Sequence, residues 1–202
     1  MTLVLGLTGT IASGKSSIAA MFADFGATVV SADQLAREAV APGTATLHAL
    51  VEAFGPSIVD AAGTLVREAL AQRVFDDPAA RAQLNAITHP AIARLAEARL
   101  RELRTRRVPL VIYEAPLLFE AGAAQRVDLV LTVMLDPVVL RQRLAGRDHL
   151  APAEMQARID AQWPQAEKIA RADFVIDNSG SLAETRRQVA ALYQHLLSLP
   201  PV

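Results

Sequence analysis

The hydrophobic pattern along the chain changes period several times. Leu3-Val4-Leu5-Gly6-Leu7 is a short unbroken apolar run, the pattern of a strand buried on both faces. After a glycine-bearing loop, Ser16–Phe25 carries its apolar residues at helical spacing and stops at Gly26. Thr28-Val29-Val30 is β-branched and predicts a second strand. Strand, helix and strand in this order predict a parallel βαβ unit with a right-handed crossover. From Gln34 to Arg107 the spacing stays helical, with breaks predicted near Pro42-Gly43, Gly55-Pro56, Gly63 and Pro90. So long a helical stretch between strands predicts helices set to one side of the sheet. Leu110–Tyr113, Asp128–Leu135 and Phe174–Ile176 predict three more strands. Pro137–Leu144 reads as a helix opened by proline, Arg141–Lys168 as helical and exposed, and Leu182–Leu199 as an amphipathic helix ended by Pro200-Pro201. The expected fold class is α/β: a five-stranded parallel sheet with helices on both faces.

Composition narrows the function classes. With 202 residues, 52% of them hydrophobic, the chain can build one domain with a substantial core. A formal net charge of −1 argues against a nucleic-acid track, which needs a basic excess. The absence of cysteine removes disulfides, thiolate metal sites and cysteine nucleophiles. The apolar N-terminus is short, lacks a preceding basic residue and runs into Gly9 and Lys15, so no signal peptide is expected. No apolar stretch is long enough to span a bilayer. The expected compartment is the cytoplasm.

The strongest chemical signal is Gly9-Thr10-Ile11-Ala12-Ser13-Gly14-Lys15-Ser16, which fits G-x-x-x-x-G-K-[ST] at every fixed position, between a predicted strand and a predicted helix. A loop of this kind turns successive backbone N–H groups toward phosphate oxygens, and the helix N-terminus adds its dipole. Lys15 supplies a compact charge to the β- and γ-phosphates, and the Ser16 hydroxyl suits a Mg²⁺ ion. The chain has only two lysines, Lys15 and Lys168, against 18 arginines, so a lysine at this position is informative. The loop implies ATP with Mg²⁺ but does not by itself name a reaction. The guanine motif N-K-x-D is absent, and Asp60-Ala61-Ala62-Gly63 lies in a helical pattern, so a GTPase switch is not expected. A short phosphate-loop domain with a helical insertion and an arginine-rich segment looks like a small-molecule kinase.

Asp33 has two readings. It follows the second strand, and strand C-termini of a parallel sheet face the ligand crevice, so its carboxylate could take the acceptor's proton or hold Mg²⁺ through water. It could equally be a first-turn acid, with Ser31 and Gln34 forming a capping box. Arg141, Arg143, Arg147 and Arg158 follow the fourth strand, where guanidinium groups on a lid could meet phosphates. The run Arg99, Arg101, Arg104, Arg106, Arg107 reads as the solvated end of a long helix. His89 before Pro90 reads as a turn residue between helices, and Glu114 or Glu120 could face the crevice.

Taken together, these residues resemble the dephospho-coenzyme A kinase family. The likeness runs from about Leu5 to about Val189. It is carried by Gly6-Leu7-Thr8-Gly9 with Ser13-Gly14-Lys15-Ser16, by Ser31-Ala32-Asp33, by Asp60, Gly63 and Arg67, and by Thr88-His89-Pro90. Pro116-Leu117-Leu118-Phe119-Glu120 and Ala172-Asp173-Phe174-Val175-Ile176-Asp177-Asn178 are its most distinctive segments, with Arg143-Leu144, Arg147-Asp148, Arg158 and Gln162 between them. The resemblance implies phosphorylation of the ribose 3′-hydroxyl of dephospho-coenzyme A by ATP. It implies a core of about 1–33, 108–140 and 172–202, a helical substrate-binding part of about 34–107, and a lid of about 141–171. Asp33 and Lys15 would be the catalytic residues, Asp33 as the base. Nucleotide contacts would come from Gly9, Thr10, Ile11, Ala12, Ser13, Gly14, Lys15, Ser16, Ser17, Arg143, Arg147 and Asn178. Thr8, Asp33, Arg67, His89, Pro116 and Leu117 would meet the acceptor. The implied partner is that small molecule alone, for a monomer or weak oligomer without nucleic acid or membrane. The chain departs from the family pattern at Thr10 and Ala12, where glycine is usual, and at Ser31 and Glu114, where aspartate is common.

Overall fold

A computed structural model describes residues 2–75, 77–147, 159 and 162–200, the side chains of 145–147 excepted. The strands are β1 (Leu3–Gly9), β2 (Thr28–Ser31), β3 (Leu110–Glu114), β4 (Leu129–Met134) and β5 (Phe174–Asp177). They form one parallel sheet in the order β2-β3-β1-β4-β5. The helices are α1 (Lys15–Asp24), α2 (Ala32–Ala39), α3 (Ala45–Phe54), α4 (Arg67–Val74), α5 (Pro78–Thr105), α6 (Pro137–Arg147), α7 (Gln165–Ala170) and α8 (Leu182–Ser198).

The chain packs as two compact units, residues 1–31 with 100–202, and residues 32–99. In the first, β1 and β3 are buried almost end to end, which explains their unbroken apolar runs. Leu5, Leu7, Ile112, Leu131 and Val133 of the sheet pack with Ile18 and Phe22 of α1 and Val189 of α8. Aspartates close the N-terminal ends of two strands: Asp128 accepts from the Val4 amide at 2.8 Å and Asp173 from the Val130 amide at 2.7 Å. A full capping box starts α8, where Ser181 and Glu184 satisfy each other's backbone amides.

In the second unit, Val40, Leu50, Phe54, Ile58 and Leu70 form a separate core, with Leu84 and Ile87 of α5 against it. Thr44 caps α3 by accepting from the Leu47 amide. Two expectations fail here. The chain breaks near Gly63 as expected, but the helical pattern read over Asp60–Gly63 does not form, since residues 60–64 are a tight turn in which Asp60 Oδ1 accepts from the Ala62 and Thr64 amides and Val59 bridges Leu65. Pro90 does not break the chain; α5 runs through it for 28 residues. An interior proline removes one helical hydrogen bond and costs about 3 kcal/mol. Packing on both sides, by Leu84 and Ile87 before it and buried Ala91 and Ala96 after it, outweighs that loss. His89 is therefore a helical residue, not a turn residue.

A third expectation fails in the first unit. Lys168, read as part of an exposed segment, is fully buried. The lid positions Asp148 and Arg158, and the Arg147 side chain, lie outside the described residues. No helix among the described residues is long and apolar enough to cross a membrane.

Candidate active site

The phosphate loop connects β1 to α1. Ala12 has φ 58° and Gly14 φ 88°, so the loop turns through two left-handed residues before the helix begins. At Gly14 the conformation suits glycine, and a Cβ there would collide with the Asn178 carboxamide. Ala12 carries its Cβ in that region, at about 1 kcal/mol.

The loop is held from behind. Asn178 donates its Nδ2 to the Ser13 carbonyl at 2.8 Å, and its Oδ1 accepts from the Thr185 hydroxyl at 2.7 Å. Arg143 donates to the Asn178 carbonyl at 2.8 Å, which brings its guanidinium beside Gly14. Both ends of the Asn178 side chain are thus engaged in anchoring the loop. Lys15 Nζ donates to the carbonyls of Thr10 at 2.8 Å and Gly9 at 3.2 Å. The Thr10 and Ser13 hydroxyls are buried without a hydrogen-bond partner. Unpartnered buried hydroxyls are rare in folded proteins, and in a loop of this sequence they fit a site built for phosphate oxygens.

The strand ends bring the acidic groups. Glu114, last in β3, lies opposite Leu7 of β1 and Ser31 of β2. Its Oε1 accepts from the Ser16 hydroxyl at 2.7 Å. Ser17 is exposed on α1. Thr8 is buried and donates to the Pro116 carbonyl at 3.1 Å, while Leu117 is exposed. Glu120 turns inward, where its Oε1 meets Lys168 Nζ and the Trp163 amide, each at 2.8 Å. Lys168 Nζ also donates to the Pro116 carbonyl at 2.8 Å. Of the two glutamates after the third strand, Glu114 therefore joins the loop and Glu120 serves a buried ion pair.

The remaining sequence-derived positions belong to the helical unit and are exposed: Asp33 in the first turn of α2, Arg67 at the start of α4 and His89 within α5. The helix start at Ala32 makes Ser31 its cap position and Gln34 the third helical residue, the register of a capping box. Sequence reasoning gave Gln162 no role, yet its Oε1 accepts from the Ile11 amide at 2.8 Å. Only its presence in the resemblance marked it.

A family model described as dephospho-CoA kinase matches residues 3–184. A dephospho-CoA kinase of Syntrophotalea carbinolica is 52% identical over 96% of this chain and 92% of its own. Among solved structures, a Thermus thermophilus protein is 37% identical with a TM-score of 0.80, covering 96% of this chain and 98% of its own. The dephospho-CoA kinase of Campylobacter jejuni, at 24% identity and a TM-score of 0.69 over 96% of this chain and 97% of its own, shares the fold.

Proposed function

The chain belongs to the dephospho-CoA kinase family, enzymes of the last step of coenzyme A synthesis, and we propose that it moves the γ-phosphoryl group of ATP in line onto the ribose 3′-hydroxyl of dephospho-coenzyme A with Asp33 as base. The observation that carries this reading is the phosphate loop, its amides preformed and its Thr10 and Ser13 hydroxyls left without partners.

The division of labour follows from position. Loop amides between Thr10 and Ser17 bind the phosphates, save those of Ile11 and Ser13, which donate to Gln162 and to the Thr10 carbonyl; Lys15, already tethered to the Gly9 and Thr10 carbonyls, adds charge without reordering a long side chain. Arg143 offers its fork beside Gly14, and Arg147, one helical turn on, takes the same role from the lid. Asn178 supports the nucleotide indirectly, by fixing the Ser13 carbonyl. Asp33 lies two residues beyond the C-terminal end of β2, the edge at which ligands bind in parallel sheets. It orients and deprotonates the hydroxyl, while Thr8, Arg67, His89, Pro116 and Leu117 meet the acceptor.

Ser16 and Glu114 suit Mg²⁺, because both offer hard oxygen donors and lie 2.7 Å apart. When bound, Mg²⁺ neutralises charge on the β- and γ-phosphates. We place the reaction in the cytoplasm, with a monomer or weak oligomer as the working form.

The test is ADP release with Mg²⁺-ATP and dephospho-coenzyme A, AMP, CMP, adenosine or no acceptor. Turnover with dephospho-coenzyme A alone is expected. Turnover only with another acceptor would move the chain to a nucleoside or nucleotide kinase, and none at all to a nucleotide-binding regulatory module. Asp33→Asn should lower kcat by about 10²–10⁴-fold while the protein stays folded. A value within a few-fold of wild type would leave Asp33 a helix-end acid.

A further inference from the structure

We propose that Gln162 is a phosphate-binding residue of the nucleotide site, its carboxamide NH₂ donating to an oxygen of the terminal phosphoryl group of ATP. This rests on the kinase reading above. Gln162 Oε1 accepts from the Ile11 amide at 2.8 Å. A backbone N–H can only donate, so that contact fixes which end of the carboxamide is oxygen. The NH₂ end must point elsewhere, and among the described residues it meets no acceptor.

The location selects the ligand. Ile11 N–H and the Thr10 carbonyl belong to one peptide unit. Its carbonyl edge receives Lys15 Nζ at 2.8 Å and its amide edge engages Gln162 at 2.8 Å. Lys15 is the group of such loops that meets the β- and γ-phosphates. The helix-end amides, Gly14 to Ser16, take the inner phosphates. Ile11 stands on the opposite arm of the loop, so a donor attached there faces the outer end of the triphosphate.

Gln162 is also held in place. The Trp163 amide donates to Glu120 at 2.8 Å, and the Trp163 ring stacks on Phe119 at 5.8 Å with Arg171 over it at 4.9 Å. The Gln162 amide donates to the Ile159 carbonyl at 3.0 Å. A donor fixed on both sides loses little freedom when it binds phosphate. Glutamate at this position would keep the Ile11 contact but put a negative charge against the phosphates.

That difference gives the test. Binding of ADP and of a non-hydrolysable ATP analogue is measured by calorimetry for wild type, Gln162→Ala and Gln162→Glu, with thermal melts to verify folding. For Gln162→Ala the analogue should bind about 10-fold more weakly and ADP within about 2-fold of wild type. Gln162→Glu should bind the analogue more weakly still. A structural tie predicts the reverse order, since glutamate preserves the acceptor. Wild-type analogue binding by Gln162→Glu, or equal losses for ADP and analogue in Gln162→Ala, would overturn the proposal. The kinase reading fails separately, if wild type binds both nucleotides yet releases no ADP with dephospho-coenzyme A.

Discussion

Replacing Lys168 by methionine should destabilise the protein far more than an ordinary surface substitution. The Lys168 side chain is 0% exposed and Glu120 only 12%. Methionine fills nearly the same volume, so the change is mainly the loss of the ammonium group. Glu120 would then keep a single described donor, the Trp163 amide, and its Oε2 already lacks a partner. Pro116 would lose one of two donors and keep Thr8. Breaking a buried ion pair from one side costs about 3–5 kcal/mol. At ~2–4 °C per kcal/mol for a chain of this size, the melting temperature should fall by roughly 6–20 °C. Urea unfolding followed by Trp163 fluorescence reads the same quantity, because that indole stacks on Phe119 beside the pair. The double change Lys168→Met with Glu120→Leu should recover most of the loss, since removing both charges removes the stranded carboxylate. A Lys168→Met protein melting within about 2 °C of wild type would mean that no such buried pair supports the fold.

Three further outcomes follow from the geometry. Ala12→Gly should raise the melting temperature slightly, by up to ~1 kcal/mol of stability, because glycine adopts φ 58° without strain while adding only some unfolded-state entropy. Glu114→Gln should raise the Mg²⁺ concentration for half-maximal activity by about 10-fold, read from Mg²⁺ titrations of ADP release, and should leave the melting temperature of the ligand-free protein nearly unchanged. Glu184 has its carboxyl held below the usual carboxylate range, first by the Ser181 amide and then by the Ser181 hydroxyl. Its contribution is therefore present above the ordinary carboxylate pKa and fades as pH falls through the lowered folded value. The gap in melting temperature between wild type and Glu184→Gln should be constant near neutrality and close in acid.

The parts that the sequence makes legible are those whose cause is local. β1 and β3 carry unbroken apolar runs because both faces are covered, and they read as strands from five and four residues, Leu3–Leu7 and Leu110–Tyr113. The phosphate loop is legible because its geometry demands glycine and lysine at fixed places. What stayed hidden depends on partners distant in the chain. Pro90 inside α5 is tolerated because the helix is held on both sides of it: Leu84 and Ile87 pack against Val40, Leu50, Phe54, Ile58 and Leu70, and Ala91 and Ala96 are buried. Lys168 looks like a solvated lysine until Glu120, 48 positions earlier, is folded against it. The different surroundings of Glu114 and Glu120 likewise come from distant residues, Ser16 for one and Lys168 for the other. Gln162 sits 151 positions from Ile11, a separation no periodicity can bridge.

The loop's anchoring bears on how nucleotide binding and stability are coupled. Asn178 fixes the Ser13 carbonyl and Lys15 fixes those of Gly9 and Thr10, so the amides are aimed before ATP arrives. The conformational cost of forming the site is therefore carried by the fold and not by the ligand. That arrangement leaves the Thr10 and Ser13 hydroxyls buried without partners, each at about 1–3 kcal/mol. A phosphate oxygen that reached either hydroxyl would satisfy it, so nucleotide binding would relieve part of that cost. The same contacts that make the ligand-free loop costly thus make its ligand stabilising. Saturating ATP at 100 times its Kd should add about 2.7 kcal/mol of stability. Removing either hydroxyl, by Thr10→Val or Ser13→Ala, should leave the protein without nucleotide as stable or more so, while shrinking the gain at the ATP concentration that is 100 times the wild-type Kd.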